Sequence, residues 1–154
     1  MSFLLRVAGA LDAASVRYAL VGGYAVALHG AVRGTVDVDV IVGWSLPTLQ
    51  AAETTLNTMG LVSRLPISAA DVFRFREEYI VKRNLIAWNF YNPMDLTEQL
   101  DIIITADLKG KKVQRIQTPD GPVRVLGRRD LIAMKRASGR PQDIEDADAL
   151  ERIR

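Results

Sequence analysis

Three aspartates in this chain occupy positions where carboxylates can do chemistry. Asp37 and Asp39 lie two apart in the stretch Thr35-Val-Asp-Val-Asp-Val-Ile-Val42. Successive side chains on a strand point to opposite faces, so both carboxylates share one face and Val36, Val38 and Val40 take the other. Carboxylates about 7 Å apart along a strand repel each other unless something positive sits between them. A hard divalent cation is the economical compensator, because Mg²⁺ accepts one or two carboxylates together with phosphate oxygens and water. For a bare Asp-x-Asp, a solvent-facing polar stripe is the commoner explanation.

The surroundings weigh against the stripe. Gly22 and Gly23 end an apolar run, and thirteen residues separate Gly23 from Asp37. Glycines let a backbone approach a phosphate closely, and free N–H groups at a helix start favour an anion. Phosphate there and metal on the Asp-x-Asp strand would hold a metal–triphosphate between neighbouring strands. A tight turn alone would also account for the glycines. The pair is neither a G-x-G-x-x-G fingerprint nor a phosphate loop with Gly-Lys-Ser/Thr.

A third carboxylate, Asp101, stands in Leu100-Asp-Ile-Ile-Ile104. A lone charge in an apolar strand is costly to bury without a partner. If this strand pairs beside the Asp-x-Asp strand, Asp101 completes a three-carboxylate site. Two metals about 3.5–4 Å apart can clamp the attacking and leaving oxygens of a phosphoryl displacement. Asp101 could also help deprotonate an acceptor hydroxyl. Asp95 and Asp107 are rivals in turn-like contexts and rank lower.

These residues must be positioned by elements that the pattern also gives. Apolar side chains at helical spacing make residues 2–15 an amphipathic helix. Tyr18 to Val21 reads as a buried strand, Gly22-Gly23 as a turn, and Tyr24 to His29 as a helix ended by Gly30. Thr35 to Val42 is a strand. Pro47 to Met59 is a helix with Gly60 past its end. Leu61 to Leu65 reads as a short strand, 68–83 as helix, and Ile86 to Tyr91 and Leu100 to Thr105 as strands. Val113 to Gln117 and Val123 to Leu126 flank Thr118-Pro119-Asp120-Gly121, a type I turn signal, so they form a hairpin. Helices over 128–138 and 141–153 follow. The order implies one mixed α/β or α+β domain over residues 1–154.

The run Leu20-Val-Gly-Gly-Tyr-Ala-Val-Ala-Leu-His-Gly30, Arg33, Asp37-Val-Asp39-Val and Leu100-Asp101-Ile102 resembles the nucleotidyltransferase superfamily with the DNA-polymerase-β-like fold. The closing stretch Asp130 to Asp146 resembles that of small bacterial members, including abortive-infection nucleotidyltransferase toxins. The resemblance implies an α+β fold with a central mixed sheet and flanking helices. It implies that Gly22 and Gly23 cradle the nucleotide phosphates. Asp37, Asp39 and Asp101 would hold two Mg²⁺ ions, or Mn²⁺, with Asp101 assisting the attacking hydroxyl. Arg33, Lys135 and Arg140 would reach the triphosphate or acceptor. Gly23 departs from the Ser of many active members, which keeps a catalytically inactive nucleotide-binding or protein-interaction module as the alternative.

Composition fits this reading. The chain has 154 residues, 49% hydrophobic and 25% charged, with a net charge of +2. Those shares are ordinary for a globular protein and argue against wholesale disorder. With no cysteine, disulfides, thiolate metal sites and Cys nucleophiles are excluded, in keeping with a reducing cytoplasm. The longest apolar run, Tyr18 to Leu28, contains two glycines and is too short to span a bilayer. Charge is segregated along the chain. Residues 109–140 hold 10 basic and 2 acidic residues, against an acidic excess on either side. That block keeps a phosphate-bearing partner open, whether nucleoside triphosphate or RNA. It contains no aromatic residue, which argues against base-stacking single-strand binding. A solvated helix face, or pairing with Asp143 or Asp146, would equally explain Lys135 and Arg140. Packing is the simpler role for His29, Trp44 and Trp88. The expected partners are a nucleoside triphosphate, an unidentified acceptor hydroxyl on a protein, small molecule or RNA, and, for a toxin–antitoxin component, a cognate antitoxin.

Overall fold

The computed structural model describes residues 2–31 and 37–153. Arg33, Thr35 and Val36 lie outside the described residues. Helix α1 (Phe3–Ala13) begins where the Ser2 hydroxyl accepts a hydrogen bond from the Leu5 N–H, and it buries Leu5, Val7, Ala8 and Leu11. Strand β1 (Tyr18–Val21) is buried along its whole length. Helix α2 (Gly22–Leu28) starts on the glycines themselves, with no turn in between. The left-handed φ of +72° at Gly22 makes the whole change of direction in one residue. That is why the expected turn is absent.

Strand β2 (Val38–Val42) carries Asp39, while Asp37 immediately precedes it. Helix α3 (Leu46–Thr58) is capped by Ser45. A two-residue strand β3 (Val62–Ser63) follows. The 68–83 stretch forms two helices, α4 (Ala69–Arg74) and α5 (Arg76–Arg83). Their packing differs: α4 fully buries Ala69 and Val72, whereas α5 buries no residue fully and rests Tyr79 and Ile80 against the core, and Phe75 separates the two.

Strand β4 (Ala87–Asn92) turns through Pro93-Met94 into β5 (Asp95–Ile103). Its first five residues, Asp95 to Gln99, are polar except for the exposed Leu96, so hydropathy alone begins the strand too late, at Leu100. The hairpin β6 (Val113–Thr118) and β7 (Gly121–Leu126) closes through Pro119-Asp120 as expected. Helix α6 (Arg128–Ser138) ends at Gly139 in the left-handed conformation, and α7 (Pro141–Arg152) has its proline in the first turn.

Among the described residues, seven strands form one mixed sheet in the order β3-β4-β5-β2-β1-β7-β6. β2 runs antiparallel to β1 and parallel to β5, and β1 runs parallel to β7. This is a mixed α+β architecture. In the middle of the sheet, period-two alternation separates two faces. Val38, Val40, Leu100, Ile102, Trp88 and Phe90 are all buried on one face, in cross-strand register. The Trp88 and Phe90 rings lie 4.6 Å apart, and the indole N–H donates to the Ser63 hydroxyl at 2.9 Å. Burying a side chain such as Phe90 or Leu100 contributes about 1.5–3 kcal/mol. This face therefore fixes the register, and the register delivers Asp39, Asp101 and Asn89 together to the other face.

Candidate active site

Asp39 and Asp101 are direct cross-strand partners in the parallel β2–β5 pair. Their register neighbours, Val38–Leu100 and Val40–Ile102, are buried, so the pairing cannot slip without burying carboxylates. Asp39 has its pKa pushed up to about 6. Burial is the main cause, the negative charges of Asp101 and Asp37 add to it, a hydrogen bond shared with Asp101 adds more, and the charge of Lys135 opposes it. Such crowding of half-buried carboxylates is relieved by a proton or by a cation.

Gly22 makes this crowding sterically feasible. A Cβ at this position would stand 2.1 Å from the Asp39 Oδ2 atom. The glycine thus serves the carboxylate as well as the turn. Asp37, Asp39 and Asp101 line a cleft of about 550 Å³ together with Gly22, Gly23, Lys135 and Arg140. Ile86, Ala87, Ile103 and Met134 give the same cleft an apolar wall that the sequence reading missed.

Lys135 and Arg140 do reach the cleft, and both are engaged there. The Lys135 ammonium lies 3.3 Å from Asp143 Oδ1 and 3.0 Å from Asp146 Oδ2. The Arg140 Nε donates to Asp143 Oδ2 at 2.7 Å. Asp143 and Asp146 are only 2% and 3% exposed, so α7 presents buried acids to cations from α6 and the α6–α7 junction. Burial would raise the Asp143 pKa, but the Arg140 hydrogen bond and the Lys135 charge together hold it below the usual carboxylate range.

The rival aspartates have structural duties. Asp95 accepts from the Thr97 N–H and hydroxyl at the start of β5. Asp107 accepts from the Trp44 and Lys109 N–H groups. His29 Nε2 lies 2.8 Å from the Leu126 carbonyl, which requires that nitrogen to carry the proton. Trp44 stacks under the Arg76 guanidinium at 4.0 Å. The basic block is interleaved with acids in space: Arg124 pairs with Asp12, and Arg136 with Asp148 and Glu151.

Asn89 went unnoticed in the sequence. Its Nδ2 donates to Asp101 Oδ1 at 2.8 Å from the neighbouring strand. The available signal was an amide alternating with the buried Trp88 and Phe90, on the face opposite to theirs.

The donor set is all oxygen, which suits a hard cation such as Mg²⁺ or Mn²⁺. Among the described residues, no three carboxylates or imidazoles stand close enough to make a complete metal cluster by themselves. The set is instead a close Asp39–Asp101 pair, with Asp37 on the approach to β2. One or two carboxylates, completed by substrate phosphates and water, is the arrangement Mg²⁺ accepts.

Neither the profiles of known protein families nor the sequences of curated proteins match this chain. Solved structures do. The lincosamide antibiotic adenylyltransferase LnuA, with lincomycin bound, superposes with a TM-score of 0.63 at 15% identity, over 99% of this chain and 96% of its own. The antibiotic-resistance factor ANT(2'')-Ia gives 0.60 at 12% identity, over 96% of this chain and 80% of its own. An antigenic nucleotidyltransferase-like protein from Paracoccidioides brasiliensis gives 0.56 at 16% identity, over 96% and 72%. The chain therefore has the nucleotidyltransferase fold. Among these neighbours LnuA shares it over nearly the full length of both chains.

Proposed function

We propose that this protein is a divalent-metal-dependent nucleotidyltransferase. It would move a nucleoside monophosphate from a nucleoside triphosphate to an acceptor hydroxyl. The observation that carries this is the in-register Asp39–Asp101 pair, with Asp37, in a cleft bordered by Gly22, Gly23, Lys135 and Arg140. The nucleotidyltransferase fold supports it.

In this reading Asp37, Asp39 and Asp101 would hold two Mg²⁺ ions, or Mn²⁺, together with substrate phosphates, and the metal would supply charge neutralisation for the triphosphate. The residues do the rest by positioning. A bond forms between the acceptor oxygen and the α-phosphorus, and the bond from the α-phosphorus to the bridging oxygen breaks. Pyrophosphate leaves with the electron pair, and Asp101 takes the hydroxyl proton. The Gly22 and Gly23 backbone lies against the phosphates. Lys135, Arg140 and Arg33 supply positive charge.

For the acceptor, a small molecule is the first choice. The neighbours are a lincosamide adenylyltransferase and an enzyme captured with adenylyl-2''-tobramycin, and the cleft wall of Ile86, Ala87, Ile103 and Met134 suits an apolar body carrying a hydroxyl. A protein or RNA hydroxyl is the alternative. The reading calls for a cytoplasmic site of action, where triphosphates are made. Incubation with triphosphates labelled at the α-phosphate and panels of hydroxyl-bearing antibiotics, proteins and RNA tests it. Label should move to one panel with the wild type and to none with Asp37→Asn.

A second reading has one observation in its favour. The pairing of Lys135 and Arg140 with Asp143 and Asp146 withdraws positive charge from an incoming triphosphate. This favours a module that binds nucleotide or partner without transferring. Label transfer that is lost in Asp37→Asn excludes it. The toxin–antitoxin role rests on the closing segment alone. Expression in a bacterial host should arrest growth, and the cognate antitoxin should restore it; unchanged growth removes that role.

A further inference from the structure

Asn89 sits on β4 directly across from Asp101 on β5. Its amide is used at both ends. The Nδ2 group donates to Asp101 Oδ1 at 2.8 Å, and the Oδ1 atom accepts from Arg64 Nε at 2.7 Å. Rotating the amide by half a turn would set its oxygen against the carboxylate and its NH₂ against the guanidinium. Both contacts would become repulsive, so only one orientation is stable.

Arg64 itself is exposed yet fixed in three ways. Its backbone N–H donates to the Asn89 carbonyl at 2.9 Å. Its Nε holds the Asn89 side chain. Its guanidinium lies 4.4 Å from the centre of the Tyr91 ring, two residues along the same strand. An exposed arginine so constrained is doing more than solubilising an edge strand. The chain of contacts runs from the sheet edge to the carboxylate pair in the cleft.

We propose that Asn89, oriented by Arg64, is a positioning residue for Asp101: it occupies one carboxylate oxygen from the β4 side and turns the other toward Asp39 and the cleft. This rests on the metal-dependent reading above. A neutral donor on one oxygen fixes the rotamer without neutralising the charge, so the carboxylate keeps its affinity for a cation. Neither Asn89 nor Arg64 touches the reacting atoms in this account.

The test is Mn²⁺ binding to the full metal-free chain, followed by electron paramagnetic resonance, for wild type, Asn89→Leu and Arg64→Met, with Asp101→Ala as the control for the amide resonance. Asn89→Leu should bind Mn²⁺ about tenfold to a hundredfold more weakly, and Arg64→Met should shift affinity in the same direction by less. Circular dichroism should show both folded. In the metal-free wild type, the Asn89 side-chain amide protons should show a downfield resonance that Asp101→Ala removes. Mn²⁺ affinity in Asn89→Leu within about twofold of wild type overturns the inference while leaving the functional reading intact. If Asn89→Leu does not fold, unchanged affinity in Arg64→Met overturns it instead. A folded wild type that binds no Mn²⁺, alone or with a nucleoside triphosphate, overturns the functional reading and this inference with it.

Discussion

Asp39 is the residue on which most of the site's energetics converge. Its carboxyl is pushed up to about 6 by burial and by Asp101 and Asp37. In the unfolded chain it would titrate near the model-peptide value for Asp, about 3.9. The folded state therefore holds this proton over a range where the unfolded state has lost it. Stability from this group is fully present below the unfolded pKa and is lost as pH rises through about 6. The metal-free protein should thus lose on the order of 3 kcal/mol between about pH 4 and 6 from this source. Urea unfolding at a series of pH values should show the midpoint falling over that window, and Asp39→Asn should flatten the fall. Asp39→Asn and Asp101→Asn should each reduce transfer on the order of a thousandfold, as steady-state assays on the identified acceptor would show. At this scale the sequence placed the carboxylates on one side of the sheet, and their role is the proposal above. Asp39 and Asp101 were legible because strand alternation fixes facing and a charge inside an apolar run demands a reason; Asp37 precedes β2 and lines the same cleft. Asn89 was not legible, because its partner lies on another strand and only the register brings them together.

At the element scale, the site depends on how β1 hands over to α2. Gly22 combines a φ of +72° with a Cβ position 2.1 Å from Asp39. Gly22→Ala should therefore cost on the order of 1–3 kcal/mol and displace the Asp39 carboxylate. Calorimetry would give the first effect, and the loss of metal-dependent nucleotide binding the second. The glycine pair was visible in the sequence, but its role was misjudged: the reading had a turn and then a helix, whereas one left-handed residue does both jobs. Helices α6 and α7 meet through Lys135, Arg140, Asp143 and Asp146. Removing one partner of a buried ion pair costs about 3–5 kcal/mol, because the other is left uncompensated. Asp143→Ala leaves Lys135 paired with Asp146 and Arg140 exposed to water, so it should lower stability by less, about 1–3 kcal/mol, with the chemical-denaturation midpoint as its measure. The charges were plain in the sequence, and pairing was among the readings kept open. The choice between solvation and pairing needed the packing of two helices, which periodicity does not give. The 68–83 stretch shows the same limit. Its helical character was legible, but the break at Phe75 between α4 and α5 was not, because no Gly or Pro marks it in the sequence.

Over the whole molecule, one sheet threads the described chain from β1 near its start to β7 near its end. We propose that the chain behaves as one domain, with its core drawing on β1, β2, β4, β5 and β7. Thermal unfolding should then give a single transition with matching calorimetric and van't Hoff enthalpies; two resolved transitions would refute it. The mixed α+β class was legible from the order of elements, because helices interleaved with strands leave few architectures. The strand order was not, since it depends on pairings between distant segments such as β2 with β5. The sequence also showed a cationic block at 109–140, and in space at least four of its ten cations are answered by acids. Arg124 meets Asp12, Arg136 meets Asp148 and Glu151, and Lys135 and Arg140 meet Asp143. A linear charge count took no account of these pairings. The most direct test is isothermal titration of the full chain with non-hydrolysable analogues of the four nucleoside triphosphates, in Mg²⁺ and in excess chelator. The account predicts saturable binding of at least one analogue that requires Mg²⁺ and disappears in a folded Asp39→Asn protein. Binding that is indifferent to Mg²⁺ and to Asp39, or no binding of any analogue, would contradict it.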